Sequence, residues 1–256
     1  MSIEKNIYPS SFKKAVVIPL HKTGSKSQCS NYRPISLTSN LSKIFEKLLK
    51  VRVINFLDKY DLIAKRQYGF RDMYNTADAI NYMTEYIYSK QDSLKPVAAI
   101  FLDLKKAFDL VDHKILLNKM DEIGIRGMSN EYFKNYLRDR LQVVKIGNEY
   151  SNEEKVKCGV LQGSVLGPIL FLIYINDMIN LFPDEIIAFA DDSTILCSGN
   201  DWIEVQKNAA NKIKRVNDWI KHNKLIINVE KTVCMTFSIY NNKQPLNFQL
   251  ELNGKI

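Results

Sequence analysis

Apolar positions fall into short blocks along the chain, and their spacing alternates between extended and helical. Residues 13–20 hold a β-prone run, Ala15-Val-Val-Ile, ended by Pro19, and a polar loop over 22–31 leads into Tyr32-Arg-Pro-Ile-Ser-Leu. Ser39 or Asn40 can cap a helix in which Leu41, Ile44, Phe45, Leu48, Leu49 and Ile54 recur at helical spacing. A second helix is expected from about Thr76 through Ile80, Met83 and Ile87. Pro96 restarts the chain as Val97-Ala-Ala-Ile-Phe-Leu, apolar at every position, as a strand covered on both faces should be. After Asp103 the spacing turns helical through Ile115, Leu116, Lys119 and Met120, up to Gly124. Residues 142–146 and 154–158 flank Gly147-Asn148 and predict a hairpin. A glycine-rich turn over 159–168 leads into an apolar helix starting at Pro168. Residues 185–189 and 193–197 predict a second hairpin joined at Ala190-Asp191-Asp192. Asp201 caps a long amphipathic helix to about Asn223 with Trp202, Val205, Ala209, Ile213, Val216 and Ile220 inward, and strands near 232–237 and 246–252 follow. Helices mixed with hairpins predict an α+β layer structure around a mostly antiparallel sheet.

Composition narrows the class. In 256 residues, 46% are hydrophobic and 25% charged, which excludes a disordered tail or a collagen-like chain and allows a sizeable core. The four cysteines have no C-x-x-C spacing, so a zinc site or a disulfide framework is not expected, and a reducing, intracellular setting is. No apolar run reaches the ~18 residues of a bilayer span, and residues 1–10 lack a signal-peptide core, so no membrane partner is expected. The net charge of +8 makes a polyanion a fitting partner.

Three acids stand out from the surface charge. Asp103 ends the apolar strand, and Asp191 and Asp192 sit at the tip of an apolar hairpin. Carboxylates at the ends of buried strands are costly unless a cation compensates them. If the two segments share one sheet, the acids converge on a patch that suits two Mg²⁺ ions, hard cations that prefer oxygen ligands. The competing reading takes Asp191-Asp192 as a turn and Asp103 as a helix cap, and for an isolated Asp-Asp it would prevail.

Other segments point the same way. Val17-Ile-Pro-Leu-His-Lys, Asn31-Tyr-Arg-Pro-Ile-Ser-Leu, Gln67-Tyr-Gly-Phe-Arg, Phe101-Leu-Asp-Leu-Lys-Lys-Ala-Phe-Asp, Gly159-Val-Leu-Gln-Gly-Ser-Val-Leu-Gly-Pro, Phe189-Ala-Asp-Asp and Asn228-Val-Glu-Lys-Thr follow one another in order. Together they resemble the reverse transcriptase domain of non-LTR (LINE-type) retrotransposons, nearest the jockey and CR1-like groups. The resemblance runs from about residue 15 to the end. It implies a right-hand polymerase core without a thumb: fingers at 1–95, palm at 96–125, fingers at 126–158 and palm at 159–256. It also implies an endonuclease before this region and a thumb after it in the full-length element, both candidate partners, with the chain stopping at Leu252-Asn-Gly-Lys-Ile before a primer-grip hairpin. The implied setting is the nucleus or a cytoplasmic ribonucleoprotein.

The resemblance also assigns roles. Asp103 and Asp191 would be the principal ligands of two Mg²⁺ (Mn²⁺ being the substitute ion), with the Leu104 carbonyl assisting and Asp192 as an outer acid. Phe108 would exclude a ribose 2′-hydroxyl and so favour dNTPs, its plain alternative being a core ring; Asp109 beside it reads as a structural cap. Gln162 would contact the incoming nucleotide, and Gly163 with its neighbouring glycines would let template and base pair pack closely. Lys22 and Arg33 would hold the triphosphate, Lys231 would donate a proton to pyrophosphate, and Arg71 would contact a phosphate. A lysine in a polar loop, as Lys22 is, is usually just solvated, and Lys231 reads equally well as a solvated lysine. Lys13, Lys14, Lys26, Lys43, Lys47, Lys105 and Lys106 could track a nucleic-acid backbone. His21, His113 and His222 show no ligand pairing. The implied activity is RNA-directed DNA polymerisation with an RNA template, a DNA primer and dNTPs. A group II intron reverse transcriptase and a non-catalytic RNA-binding remnant are the alternatives.

Overall fold

In the computed structural model, which describes residues 7–238, side-chain caps set where helices begin. Ser39 accepts from the Ser42 amide, Asn75 from Ala77 and Asp78 in a full capping box, Asp112 from Lys114 and Ile115, and Asp201 from Glu204. The resulting elements are β1 (Lys14–His21), β2 (Tyr32–Leu37), α1 (Asn40–Lys59), α2 (Thr76–Asp92), β3 (Val97–Leu102), α3 (His113–Glu122), α4 (Met128–Leu137), β4 (Leu141–Ile146), β5 (Glu149–Tyr150), β6 (Glu154–Lys155), α5 (Gly167–Ile179), β7 (Ile186–Phe189), β8 (Asp192–Ser198), α6 (Trp202–His222) and β9 (Val233–Phe237). The α+β class holds. The expected strand over 246–252 lies outside the described residues. Among the described residues no helix is long and apolar enough to cross a membrane.

The strands form two sheets where one was expected. One has the order β2-β1-β4-β5, with β6 also on β4; the other has the order β7-β8-β3-β9. The first contains a parallel pair, β1 with β4, in the register Val16↔Val143. Strands so far apart in sequence leave no turn signature, so their pairing cannot be read from local pattern. The return strand after Gly147-Asn148 is interrupted: Glu149–Tyr150 pairs with β4, and then Glu154–Lys155 does. Helix α4 fills a stretch where no element was expected, and it buries Tyr132, Phe133, Tyr136 and Leu137 at helical spacing. The chain divides into two compact units, residues 1–62 with 108–174 and residues 63–107 with 175–256.

In the first unit, α1 turns inward the line Ser42, Glu46, Leu49, Val53 and Leu57, while Leu41, Ile44 and Leu48 are exposed. Apolar spacing alone pointed to a different stripe, because the buried line includes a charged residue. Glu46 is fully buried and accepts from the Val165 and Leu166 amides at 2.8 and 3.2 Å, at the start of α5. Its other oxygen accepts from Ser42 Oγ at 3.2 Å and Tyr8 Oη at 3.3 Å. A carboxylate so placed satisfies amides that the helix start leaves without partners. Burial, and after it the Glu46 charge, raises the Tyr136 hydroxyl above its ordinary range. Arg140, also buried, donates to the Tyr136 carbonyl at 3.1 Å and lies 4.7 Å from the centre of that ring.

In the second unit, β3 is buried along nearly its whole length, as the unbroken apolar run demands. Helix α2 covers the face carrying Ala99, Ile187 and Leu196, with Ala79, Tyr82, Met83 and Tyr86 against it. Helix α6 packs on β8 and β3 and buries Val205, Ala209, Ile213, Val216 and Ile220 as expected, with Trp202 half-buried. Its buried Lys212 reaches the Leu196 carbonyl and Glu185, both at 2.8 Å.

Glu46→Ala strands two buried amides and should cost about 3 kcal/mol in urea unfolding. Glu46→Gln, which keeps one acceptor oxygen, should cost less; equal stability of both variants with wild type would remove Glu46 from this role.

Candidate active site

Register decides how the acids meet. Strand β3 runs antiparallel to β8 from Val97↔Ser198 to Leu102↔Ser193. That ladder ends one residue short of Asp103 on β3 and of Asp192 on β8, so both acids stand at the same end of the sheet. Strand β7 pairs with β8 as far as Phe189↔Asp192, leaving Ala190-Asp191 as a two-residue turn. Opposite positions of an antiparallel pair point to one face about 5 Å apart, and like charges placed so destabilise the sheet. Asp103 and Asp191 are half-buried, and Asp192 is exposed. The sheet thus brings the three acids to one end, as expected if β3 and the hairpin share it. Among the described residues, however, no three His, Cys, Asp or Glu side chains are gathered as a ready metal cluster.

Asp103 is held by residues on both sides of it. Asn228 Nδ2 donates to Asp103 Oδ2 at 2.7 Å, and the Asn228 amide donates to the Asp103 carbonyl at 2.8 Å. The Asp103 amide reaches Thr232 Oγ1 at 3.5 Å. Leu104, buried, continues the pairing as an antiparallel bridge to Ile227. Lys231 is exposed on the turn between Asn228 and Thr232, its amide bonded to the Asn228 carbonyl. Asn228 was not among the expected site residues, although it begins one of the quoted segments; an amide in an otherwise charged turn was the available signal.

The acidic turn is held from behind by Gln67-Tyr-Gly-Phe-Arg. Ala190 has φ +61°, a left-handed conformation that costs an alanine about 1 kcal/mol or more. Positive φ at the first turn position alone follows the II′ pattern, where glycine is usual. Gln67, 1% exposed, accepts from the Ala190 amide at 3.0 Å and from its own Gly69 amide at 2.9 Å through Oε1, while Nε2 reaches the Ala190 carbonyl at 3.4 Å. Gly69 is required by contact: a Cβ there would lie 2.1 Å from the Ala190 nitrogen. Backbone bonds Tyr68 N to Ala188 O and Ala188 N to Arg66 O, both 2.8 Å, lay this segment along the edge of β7. Arg71 donates to the carbonyls of Gln67 and Ala64 at 3.2 and 3.4 Å and stands over the Tyr74 ring.

Most of the remaining expected residues belong to the first unit. Lys22 and Arg33 come together at one end of the β1–β2 hairpin, where Leu20 pairs with Arg33 and the Lys22 amide bonds the Asn31 carbonyl at 2.8 Å; both side chains are exposed. Lys14 is ion-paired with Glu153. The Phe108 ring stacks on Phe171 of α5 with centroids 4.5 Å apart, a core contact. Gln162 donates to Asp109 Oδ1 at 2.9 Å, so Asp109 anchors the glycine-rich turn. Gly163 has φ +104°, and a Cβ on it would meet the Ser36 carbonyl at 2.9 Å. Its bareness is accounted for by the protein's own backbone. His21, His113 and His222 each bond a backbone carbonyl, those of Gly24, Gly159 and Asp218, as structural histidines should.

The sequence matches the family described as "Reverse transcriptase (RNA-dependent DNA polymerase)" over residues 20–249. The chain belongs to the reverse transcriptase family. A Drosophila melanogaster protein named "Probable RNA-directed DNA polymerase from transposon BS" is 30% identical, over 97% of this chain and 28% of its own length. The "RNA-directed DNA polymerase from mobile element jockey" of the same fly is 28% identical over 99% of this chain and 28% of its own. These relatives bear out the likeness to non-LTR elements. The chain spans little more than a quarter of the curated relatives it matches. Among solved structures, apo telomerase from Candida tropicalis truncated from its C-terminal domain superposes with a TM-score of 0.65 at 17% identity, over 92% of this chain and 52% of that one. At that identity the likeness concerns the fold, and it agrees with a polymerase core of fingers and palm.

Apposed acids predict a measurable cost. Without divalent metal, Asp103→Asn should stabilise this reverse transcriptase chain by up to about 1 kcal/mol, since one of the like charges gathered at the sheet end is gone. Added Mg²⁺ should raise the melting temperature of the wild type and leave that of the variant nearly still. A variant less stable than wild type in EDTA would contradict the apposition.

Proposed function

We propose that this chain is the RNA-directed DNA polymerase core of a non-LTR retrotransposon, adding dNMP to a primer 3′-hydroxyl on an RNA template. The β3–β8 register carries the reading: it brings carboxylates together at one end of a buried sheet, an arrangement that calls for cations. The donors these acids offer are all oxygen. They fit Mg²⁺, which takes one or two carboxylates and completes its shell with substrate phosphates and water, better than a metal needing a closed cage of side chains. Asp103 and Asp191 would hold two such ions, with Mn²⁺ as substitute, the Leu104 carbonyl assisting and Asp192 outside. Bound there, the ions would favour ionisation of the primer hydroxyl and stabilise the leaving oxygen.

The protein's own groups account for the rest. The primer 3′-oxygen forms a bond to the α-phosphorus while the bond from that phosphorus to the bridging oxygen breaks, and pyrophosphate leaves. Lys231, on the turn that grips Asp103, gives pyrophosphate a proton and regains one from water. Lys22 and Arg33 offer cations to the triphosphate, Arg33 able to do so bidentately. Phe108, its ring fixed by stacking on Phe171, would bar a 2′-hydroxyl, a role that needs a ring unable to swing away. Gln162, anchored on Asp109, would present the turn to the incoming nucleotide, with Gly163 beside the template and Arg71 near a backbone phosphate. In this reading residues 1–95 with 126–158 are fingers and 96–125 with 159–256 palm.

Primer extension on poly(rA)/oligo(dT) with Mg²⁺ tests the reading. Wild type should extend, while Asp191→Asn and Asp103→Asn should lose at least about a thousandfold in rate with RNA affinity kept. Folded, RNA-competent wild-type protein that never extends would leave only an RNA-binding module. In the same assay Phe108→Ala should incorporate rNTPs; unaltered preference for dNTPs would return that ring to the core.

A further inference from the structure

We propose that Gln67 is a positioning residue for the acidic turn, its carboxamide standing in for a neighbouring strand at the one place where backbone pairing cannot reach. The sheet order makes β7 an edge strand, and residues 66–69 run along that edge in parallel. Main-chain bonds connect the two segments at Ala188 and stop there. At Ala190 the chain turns left-handed, and Gln67 takes over: its oxygen accepts the Ala190 amide, and its nitrogen reaches the Ala190 carbonyl. The same oxygen accepts the Gly69 amide, which fixes the side chain to its own loop and leaves it little freedom to follow a moving turn. Asp191 comes next in the chain, so the left-handed residue that sets the direction of both acids is held at both its amide and its carbonyl by one side chain 123 residues away. Absence of a Cβ at Gly69 lets the loop come this close. Gln67 touches neither substrate nor metal in this role; it acts through Ala190.

Positioning of this kind matters for turnover only if the acids perform the chemistry proposed above, so the test has arms that do not need turnover. Gln67→Met keeps the length and removes both polar contacts; Gln67→Glu keeps an oxygen for both amides. In the 256-residue chain, Gln67→Met should speed hydrogen exchange of the Ala190 amide by at least about tenfold and weaken Mn²⁺ binding, followed by electron paramagnetic resonance, by a similar factor. Gln67→Glu should keep the Ala190 amide slow. In primer extension Gln67→Met should lower kcat by about a hundredfold with KM for dTTP and affinity for poly(rA) within about twofold, the signature of misplaced reacting groups. Adding Ala190→Gly, which takes a positive φ freely, should restore part of that kcat. Should Gln67→Met fail to fold, Gln67→Asn, one methylene shorter, should show the same changes in smaller degree. Unchanged Ala190 exchange and Mn²⁺ affinity in the folded variants would overturn the proposal. So would a kcat loss that merely follows the fraction of folded protein. If wild type shows no extension at all, the polymerase reading fails, and the exchange and Mn²⁺ arms still decide for or against Gln67.

Discussion

Like charges gathered at one end of an antiparallel ladder are the constraint on which the second unit turns. Asp103 ends β3 and Asp192 begins β8, and the register between those strands is fixed by apolar pairs, Ala99↔Leu196 and Ile100↔Ile195, whose burial leaves no room to slip. A slip of one residue would break every side-chain pair packed on both faces of this ladder as well as shifting the acids. Hydrophobic packing therefore enforces an electrostatic arrangement that the charges themselves resist. Asp103 also accepts from Asn228 Nδ2 at 2.7 Å, which ties the end of β3 to the turn before β9.

The same logic extends to the turn. Ala190 lies in a conformation that most alanines avoid, and it is buried, so the strain is not relieved by solvent. Such a residue persists where its surroundings over-determine it. Here they are the β7–β8 ladder on one side and Gln67 with the close backbone of Gly69 on the other. A glycine at position 190 would lower the strain, but it would also widen what the turn can do. An alanine held by a side chain trades stability for a fixed direction, which suits acids that must meet a cation at one point.

Local pattern made much of this legible. The caps at Ser39 and Asp201, the buried β3 run, the acidic hairpin tip and the α6 inward face all follow from spacing and side-chain type within a few residues. What sequence did not show was set by distant partners. The β1–β4 parallel pair joins strands with most of the first unit's helices between them, so nothing local marks it. Glu46 looked like one charge among the lysines of α1, yet it is the buried centre of that helix's inward line, satisfied by amides from residues 165 and 166. The Gln67 segment stood out as one of the matching stretches, with Arg71 as its expected phosphate contact. Which atom of which residue it would hold depended on a contact 123 residues away.

The glycine-rich turn shows how one residue type can serve two explanations. Glycines at 159 and 163 were expected to make room for a nucleic acid, yet each has a backbone carbonyl of this chain where its Cβ would be, from Asp109 and Ser36. Gln162 between them is tied to the Asp109 side chain and, through its carbonyl, to the Ser36 amide at 2.7 Å. A turn tied down at every residue is not a flexible lid. It is a rigid shelf whose shape is settled before any ligand arrives, and Glu46, beneath the start of α5, continues the same fixation downstream. In the proposed polymerase role this rigidity would be useful, because a surface that judges the fit of a base pair cannot yield to a poor one. The glycines then matter less for what they admit than for how closely they let the protein pack against itself.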